Sequence, residues 1–197
     1  MTLKKSISAF LFVCGAGGAV FLASSPNLSG SESAREAESV RFFEQASSVF
    51  QHPRCLNCHP GGDRPTQGMD LHEHTMNVQR GLQNHGAAAL QCSACHGVEN
   101  NLSSGVPGAP KWALAPKTMA WQGLSKGDLC RKLKGDFPNG RMAGGMSPEE
   151  FIRHNGEDAL VGWAWKPGKG REPAPLTQKK FGGLVAKWIR SGAACPP

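Results

Sequence analysis

Apolar residues recur at helical spacing in four parts of the chain, and polar or turn-forming residues separate these parts. Between Ala34 and Phe50 they lie three or four positions apart, which predicts a helix that starts at a capping box over Ser33 to Glu36. Ser125 and Ser147 each precede a periodic stretch and predict two further helix starts. A last helix is predicted from Gln178 to Arg190, capped by the preceding threonine.

The segments between these helices are rich in glycine and proline. The chain of 197 residues contains 25 Gly and 14 Pro, which favours irregular backbone between short helices. The small-residue stretch from Gly86 to Gln91 predicts one more short helix, and no alternating run is long enough to predict a sheet. The predicted fold class is therefore mostly α, with short helices joined by long loops.

The N-terminal segment is typical of an export signal. Lys4 and Lys5 are followed by a run of apolar and small residues from Ile7 to Ala23. We interpret residues 1–25 as a signal peptide whose cleavage site is open, and we expect a periplasmic protein. If the segment were retained, it would act as a membrane anchor. The remaining residues, 26–197, are predicted to form one domain.

Two copies of the same short motif dominate the candidate chemistry. Cys55 to His59 and Cys92 to His96 both read Cys-x-x-Cys-His, the pattern that attaches haem c. Each cysteine pair can form thioether bonds to the vinyl groups of one haem, and each histidine is placed to ligate its iron. The cofactor predicted is two covalently bound haem c groups, with a cytochrome c-like chain wrapped around them. Both haem sites are expected within residues 34–125, with a helical part over 126–197 packed against them.

The loop after the first motif carries the candidates for the second iron ligand. His72 and His74 are two residues apart, so they would point in nearly opposite directions and cannot comfortably bind one iron together. Either each binds a different haem, or one is a ligand and the other a supporting residue. Other side chains able to take this role are His52, His85, His154, Met69, Met76, Met119, Met142 and Met146.

Two cysteines outside the motifs predict a disulfide. Exported proteins tend to pair the thiols that remain unmodified, and Cys130 and Cys195 remain once the signal segment and the haem motifs are set aside. Two buried free thiols are the alternative.

The charge of the chain argues against one class of partner. The formal net charge of +7 falls to +5 without Lys4 and Lys5, and two haems with ionised propionates would lower it further. No stripe of basic residues interleaved with aromatics is present, so nucleic-acid binding is not expected. A modest basic face that docks transiently on an acidic redox partner fits better. Lys166, Lys169 and Arg171 are interpreted as a solvated face, with docking or pairing with propionates as the alternative.

Beyond the motifs, characteristic residues lie along nearly all of the mature chain: His52 to Pro60, His72, His74, Asn77-Val78, Arg80-Gly81, Cys92 to His96, Pro107 to Pro110, Leu160 to Trp163, Gly170-Arg171 and Ala194 to Pro196. Through these residues the chain resembles a family of small exported dihaem c-type cytochromes, sometimes labelled cytochrome c or isoquinoline 1-oxidoreductase subunit, and the resemblance covers nearly all of the mature chain. It implies an electron carrier, or the electron-transfer subunit of an oxidoreductase, rather than an enzyme.

Two other functions remain open from the residues alone. A haem with an open axial position could reduce peroxide or bind nitric oxide. The cysteine pairs could also serve a zinc or disulfide redox site, although neither use requires the histidine that follows both pairs.

Overall fold

The computed structural model describes residues 28–197. The predicted signal peptide, residues 1–25, lies outside the described residues. The described part is mostly helical, as predicted. Its α-helices are α1 (Leu28–Phe50), α2 (Pro53–Leu56), α3 (Lys126–Lys134), α4 (Pro148–Glu157), α5 (Ala159–Gly162) and α6 (Gln178–Arg190). Short 3-10 turns cover Thr75–Asn77, Cys92–Ala94, Lys117–Met119, Phe137–Asn139, Ala143–Gly145 and Trp163–Trp165.

The sequence signals for three helix starts are confirmed. The Ser125 side chain accepts a hydrogen bond from the Asp128 backbone at the start of α3, and Thr177 accepts from the Lys180 backbone at the start of α6. At the start of α4, Ser147 and Glu150 form a full capping box. These caps satisfy backbone N–H groups that have no partner within the helix.

Two predictions of local structure are wrong. Helix α1 begins at Leu28 rather than at Ala34, so Ser33 lies inside the helix and cannot cap it. The predicted helix from Gly86 to Gln91 is a hairpin, in which β3 (Gly86–Ala87) pairs with β4 (Leu90–Gln91). Gly86 has a φ of 96°, far from the helical value, and a Cβ there would lie 2.5 Å from the Leu90 carbonyl oxygen.

A second small hairpin joins the first motif to the loop of candidate ligands. Strand β1 (Thr66–Gln67) pairs antiparallel with β2 (His72–Glu73), with Gln67 opposite His72. The buried Asn57 side chain holds this hairpin, since it donates to the Gly68 carbonyl and accepts from the Thr66 hydroxyl. The hairpin is therefore fixed to the end of α2.

The main core lies where α6 packs between α1 and α4. The Phe43 ring lies 5.1 Å from the Trp188 ring, and the Phe50 ring lies 4.8 Å from the Phe181 ring. All four side chains are almost completely buried. Each buried aromatic side chain contributes roughly 1.5–3 kcal/mol by leaving water, so this contact of α1 with α6 is a large part of the core.

Helices α4 and α6 approach each other through two glycines. A Cβ on Gly182 of α6 would lie 2.5 Å from the Gly156 Cα of α4. Such an approach leaves no room for any other residue at position 182 unless the helices move apart. This contact fixes where α4 lies.

The predicted disulfide is present in the structure and joins Cys130 of α3 to Cys195 in the C-terminal tail. The tail packs closely on α3, since the Arg131 guanidinium donates to the Pro196 carbonyl. The Trp188 indole also donates to the Ala194 carbonyl.

Removal of this disulfide is expected to lower the stability of the protein. The bond spans 65 residues, and a loop of that size corresponds to about 4 kcal/mol in the chain-entropy account. Urea unfolding of a variant with both Cys130 and Cys195 replaced by serine should show a loss of about 2–5 kcal/mol. Reductant should lower the stability of the unaltered protein similarly and leave the variant unchanged. Equal stability of the variant and the unaltered protein would contradict this expectation.

Candidate functional site

The first Cys-x-x-Cys-His motif lies on and after the single turn of α2. His52 caps this helix, since its Nδ1 accepts a hydrogen bond from the Arg54 backbone at 3.2 Å. The helical turn continues beyond Leu56, because the His59 backbone donates to the Cys55 carbonyl at 3.1 Å. Residues three and four apart lie on one side of such a turn, and both thiols and the imidazole consequently line one cavity, called here the first cavity.

The His59 ring is fixed on two sides. Its Nδ1 lies 2.7 Å from the Met119 carbonyl oxygen, and its ring stacks on Trp121 with 3.4 Å between ring centroids. A carbonyl oxygen can only accept, so Nδ1 carries the proton and the Nε2 lone pair is free. Burial lowers the pKa of His59 to about 4. The ring is therefore a neutral imidazole with one nitrogen available as a ligand.

The second motif follows the β3–β4 hairpin and forms a 3-10 turn over Cys92–Ala94. The Cys92 backbone donates to the His85 carbonyl at 2.8 Å, which fixes the start of the turn. The His96 backbone then donates to the Cys92 carbonyl at 2.9 Å. Both cysteines and His96 line another cavity, called here the second cavity.

The His96 ring repeats the environment of His59. Its Nδ1 lies 2.7 Å from the Pro107 carbonyl oxygen, and its ring stacks on Trp112 at 4.6 Å with an interplanar angle of 10°. Burial lowers the pKa of His96, and the nearby His74 and Arg171 lower it further. The same arrangement thus occurs twice and is built by unrelated segments: a neutral histidine whose Nδ1 donates a hydrogen bond to a backbone carbonyl and whose ring face contacts a tryptophan.

The two cavities adjoin each other. Their volumes are about 310 Å³ for the first and about 360 Å³ for the second, within the range of about 300–1,000 Å³ of cofactor sites. Side chains and backbone that line both are Arg54, Cys58, Trp112, Ala113, Leu114 and Trp163. The shared wall is therefore one layer of residues thick.

The thiols of the two motifs also lie near each other. Burial raises the pKa of the Cys55 thiol to about 12, and burial together with the neighbouring Cys92 raises the pKa of the Cys58 thiol to about 11. Both thiols are therefore protonated at neutral pH in the chain without a bound group.

The two histidines predicted as second iron ligands line only one of the two cavities. His72 and His74 both line the second cavity, together with Met76, and neither lines the first. The His74 and His96 ring centroids are 6.0 Å apart at an interplanar angle of 69°. The first cavity is lined instead by His154, Met146 and Met119. The structure therefore does not divide His72 and His74 between the two motifs.

The other side chains considered from the sequence have different positions. His52 caps α2, His85 is exposed, and neither lines the first or the second cavity. Met69 is exposed and Met142 is a core residue.

Positive charge borders the second cavity. Arg54 is buried, donates through Nε to the Glu172 carbonyl at 2.6 Å, and lies over the Trp163 ring. Burial lowers the pKa of Arg54, and the nearby Arg171 lowers it further. Both guanidinium groups line the second cavity. Two clustered cations of this kind favour a ligand that carries carboxylates.

The first cavity is bordered by a polar group without a hydrogen-bond partner. Trp121 lines it, and its indole Nε1 is buried with no hydrogen-bond partner in the part of the chain that the structure describes. Buried polar groups normally have a partner, so this N–H marks a position where an acceptor on a bound group would fit.

Sequence reasoning found the motifs but missed what orients their histidines. The carbonyls of Met119 and Pro107 carry no side-chain signal, and only the folded backbone brings them to the imidazoles. Trp112 and Trp121 also come from distant segments. They stack on the motif histidines, and Trp121 is also part of the core.

Comparisons of the chain with protein-family models, with curated proteins and with solved structures gave no match. Among residues 28–197, no helix is long and apolar enough to cross a membrane. Within the same residues, no three His, Cys, Asp or Glu side chains converge as they would around a metal ion.

Proposed function

We propose that this protein is a periplasmic dihaem cytochrome c that transfers electrons between redox partners. In this proposal Cys55 and Cys58 attach one haem and Cys92 and Cys95 attach the other. His59 and His96 are the proximal ligands. The observation that carries the proposal is the neutral imidazole, hydrogen-bonded through Nδ1 and stacked on tryptophan, that follows each cysteine pair. A histidine that ligates a metal usually donates its other ring N–H to a fixed acceptor in this way.

The residues present fit two haems. Each motif borders its own mostly apolar cavity, and each cavity has polar groups suited to propionates: the Trp121 N–H at the first, and Arg54 with Arg171 at the second. When bound, each haem iron supplies reversible one-electron oxidation and reduction. Because porphyrin nitrogens provide four of the six iron ligands, a site of three or more protein ligands is not required.

The chain's own residues have separate tasks in such a carrier. The carbonyls of Met119 and Pro107 hold the imidazoles in one tautomer and orientation, which keeps Nε2 available. Trp121 and Trp112 shield those rings from water. The buried guanidinium of Arg54 borders both cavities, and a cation beside an iron would favour its reduced, less positive state.

The contact between the cavities supports electron exchange within the protein. One layer of residues separates them, and Cys58 of the first motif is near Cys92 of the second. Cofactors attached at these cysteines would lie against the same wall. An electron accepted at one site could then pass to the other without release.

The second site is the more accessible to a partner. Cys95 is exposed, whereas Cys55 and Cys58 are half-buried. Met76, which lines the second cavity, is a large apolar side chain that is mostly exposed. Exposed apolar side chains beside a site are typical of protein contact surfaces, so electrons are proposed to enter and leave here.

The membership of the chain in the dihaem family also belongs to the proposal. Several residues that carry the resemblance outside the motifs lie at the cavities: Pro107 accepts from His96, Trp163 lines both cavities, and Arg171 lines the second. A partner oxidoreductase and export through residues 1–25 are parts of the same proposal.

An optical redox titration of the haem-loaded protein tests this function. The expected result is two reversible one-electron steps, with complete recovery of the starting spectrum after each cycle. Addition of peroxide to the reduced protein should give slow oxidation without catalytic turnover. Sustained peroxide consumption, or carbon monoxide binding at either iron, would contradict an electron carrier and favour a haem enzyme or gas-binding protein.

A further inference from the structure

We infer that a histidine from a distant segment binds the open face of each haem iron: His74 at the second cavity and His154 of α4 at the first. The inference rests on the proposed function, because it assigns ligands to the haems proposed above. It makes both irons bis-histidine sites.

The ring separation carries the assignment at the second cavity. An iron–nitrogen bond is about 2 Å, and the centre of an imidazole lies about 1 Å beyond its nitrogen, so two imidazoles on opposite faces of one iron have ring centroids about 6 Å apart. The His74 and His96 centroids are 6.0 Å apart. An iron between them would therefore need little movement of either ring.

The surroundings of His74 prepare it for this role. Its backbone N–H donates to the Pro65 carbonyl at 2.9 Å, which anchors it directly after β2. Its ring Nδ1 lies 2.9 Å from the Thr75 carbonyl oxygen. Since that oxygen can only accept, Nδ1 carries the proton and Nε2 is free, as in His59 and His96.

His154 holds the corresponding position at the first cavity. It is half-buried and lines this cavity together with His59. Its ring makes no hydrogen bond to any residue that the structure describes, so a ring nitrogen is available to a group bound in the cavity. Met146 also borders the cavity, but an unpartnered imidazole gains more from an iron than a thioether already packed against the core does.

The position of His154 is determined by the rigid placement of α4. The capping box of Ser147 and Glu150 fixes the start of the helix, and the contact of Gly156 with Gly182 fixes its distance from α6. The adjacent Asn155 is buried and donates to the Phe151 carbonyl. His154 is thus carried to the cavity by a helix that has little freedom to move.

His72 is left without an iron in this assignment. It is exposed, its Nδ1 lies 2.6 Å from an Asp70 carboxylate oxygen, and no ring contact joins it to His96 in the described structure. Its role is to stabilise the turn between β1 and β2 rather than to bind metal.

Spectra of single variants of the full-length haem-loaded protein test the assignment. The unaltered ferric protein should be entirely low-spin by optical and EPR spectroscopy. His154→Ala and His74→Ala should each convert half of the haem signal to high-spin, and the double variant should convert all of it. His72→Ala should leave both haems low-spin. His154→Met should restore a low-spin haem with a raised reduction potential, which a residue with only a packing role would not do.

Matched variants and the haem content separate the outcomes. His85→Ala changes an exposed histidine that borders neither cavity, and Met146→Leu changes the rival side chain at the first cavity; both should keep the spectrum unchanged. Two attached haems with an unchanged low-spin spectrum in His154→Ala or His74→Ala would overturn the assignment and leave the proposed function standing. Loss of low-spin haem in Met146→Leu or His72→Ala would overturn it as well. Absence of attached haem in the unaltered protein would overturn both proposals.

Discussion

Replacement of Cys55 and Cys58 by alanine is expected to remove one haem and most of the folded protein, whereas replacement of Cys92 and Cys95 should remove one haem from a protein that still folds. The first cavity is lined by core residues, including Phe50, and would become an empty space of about 310 Å³. An apolar cavity of that size costs up to about 7 kcal/mol when no water fills it, which is comparable to the whole stability of about 5–15 kcal/mol of a domain.

The second cavity has a different rim. His72, Met76 and Cys95 are exposed beside it, so water can enter when its haem is absent and the cost of the void falls. Haem staining after denaturing electrophoresis, combined with urea unfolding, measures both effects. Ser93→Ala is the control, since Ser93 is an exposed residue between the two cysteines of the second motif, and it should retain two haems and full stability. Two haems in either double variant would refute the attachment sites.

Gly182→Ala is expected to destabilise the protein by about 1–3 kcal/mol and to disturb the first haem, because the added Cβ would overlap the α4 backbone. That Cβ would lie 2.5 Å from the Gly156 Cα, so α4 must move away from α6. The movement carries His154 with it and should produce a partial high-spin signal from the first haem only. Urea unfolding and the ferric spectrum report the two effects separately.

The adjacent glycine gives a matched control. Gly183 lies next to Gly182 in α6, is exposed, and has nothing within 4 Å of the position of an added Cβ. Gly183→Ala should raise the stability by up to about 1 kcal/mol, since alanine is the better helix former. The glycine that faces Gly182 across the helix contact is Gly156 of α4. In Gly156→Ala the added Cβ would lie 3.3 Å from the Gly182 Cα, so this substitution should destabilise the protein less than Gly182→Ala does. Equal stabilities of the variants at positions 182 and 183 would show that the helix contact is not tight.

The parts of the fold that could be predicted are those governed by nearby residues. Ser125, Ser147 and Thr177 cap helices through bonds to backbone three residues away, so the starts of α3, α4 and α6 are visible in the sequence. The same reasoning failed at Ser33, because helix can continue through a serine when no other structure competes. It failed at Gly86 because small residues suit a tight hairpin as well as a helix.

The same distinction between local and distant residues applies to the candidate site. The attachment cysteines and motif histidines are adjacent in the chain, and their spacing alone identifies them. The groups that face those histidines come from far away: the Met119 carbonyl lies 60 residues after His59, and His154 reaches the first cavity only because α4 packs on α6. Such partners depend on tertiary contacts, which a local pattern does not encode. The spacing of His72 and His74 leaves two arrangements, one histidine for each haem or one ligand with one supporting residue, and the structure places both side chains at one cavity.

The mass of the exported protein after denaturation tests the central claim most directly. The account predicts that the mature chain carries the mass of two haems and that both stay attached after denaturation and reduction. Each double variant, at Cys55 and Cys58 or at Cys92 and Cys95, should lack the mass of one haem. A denatured chain with the mass of the polypeptide alone would contradict it.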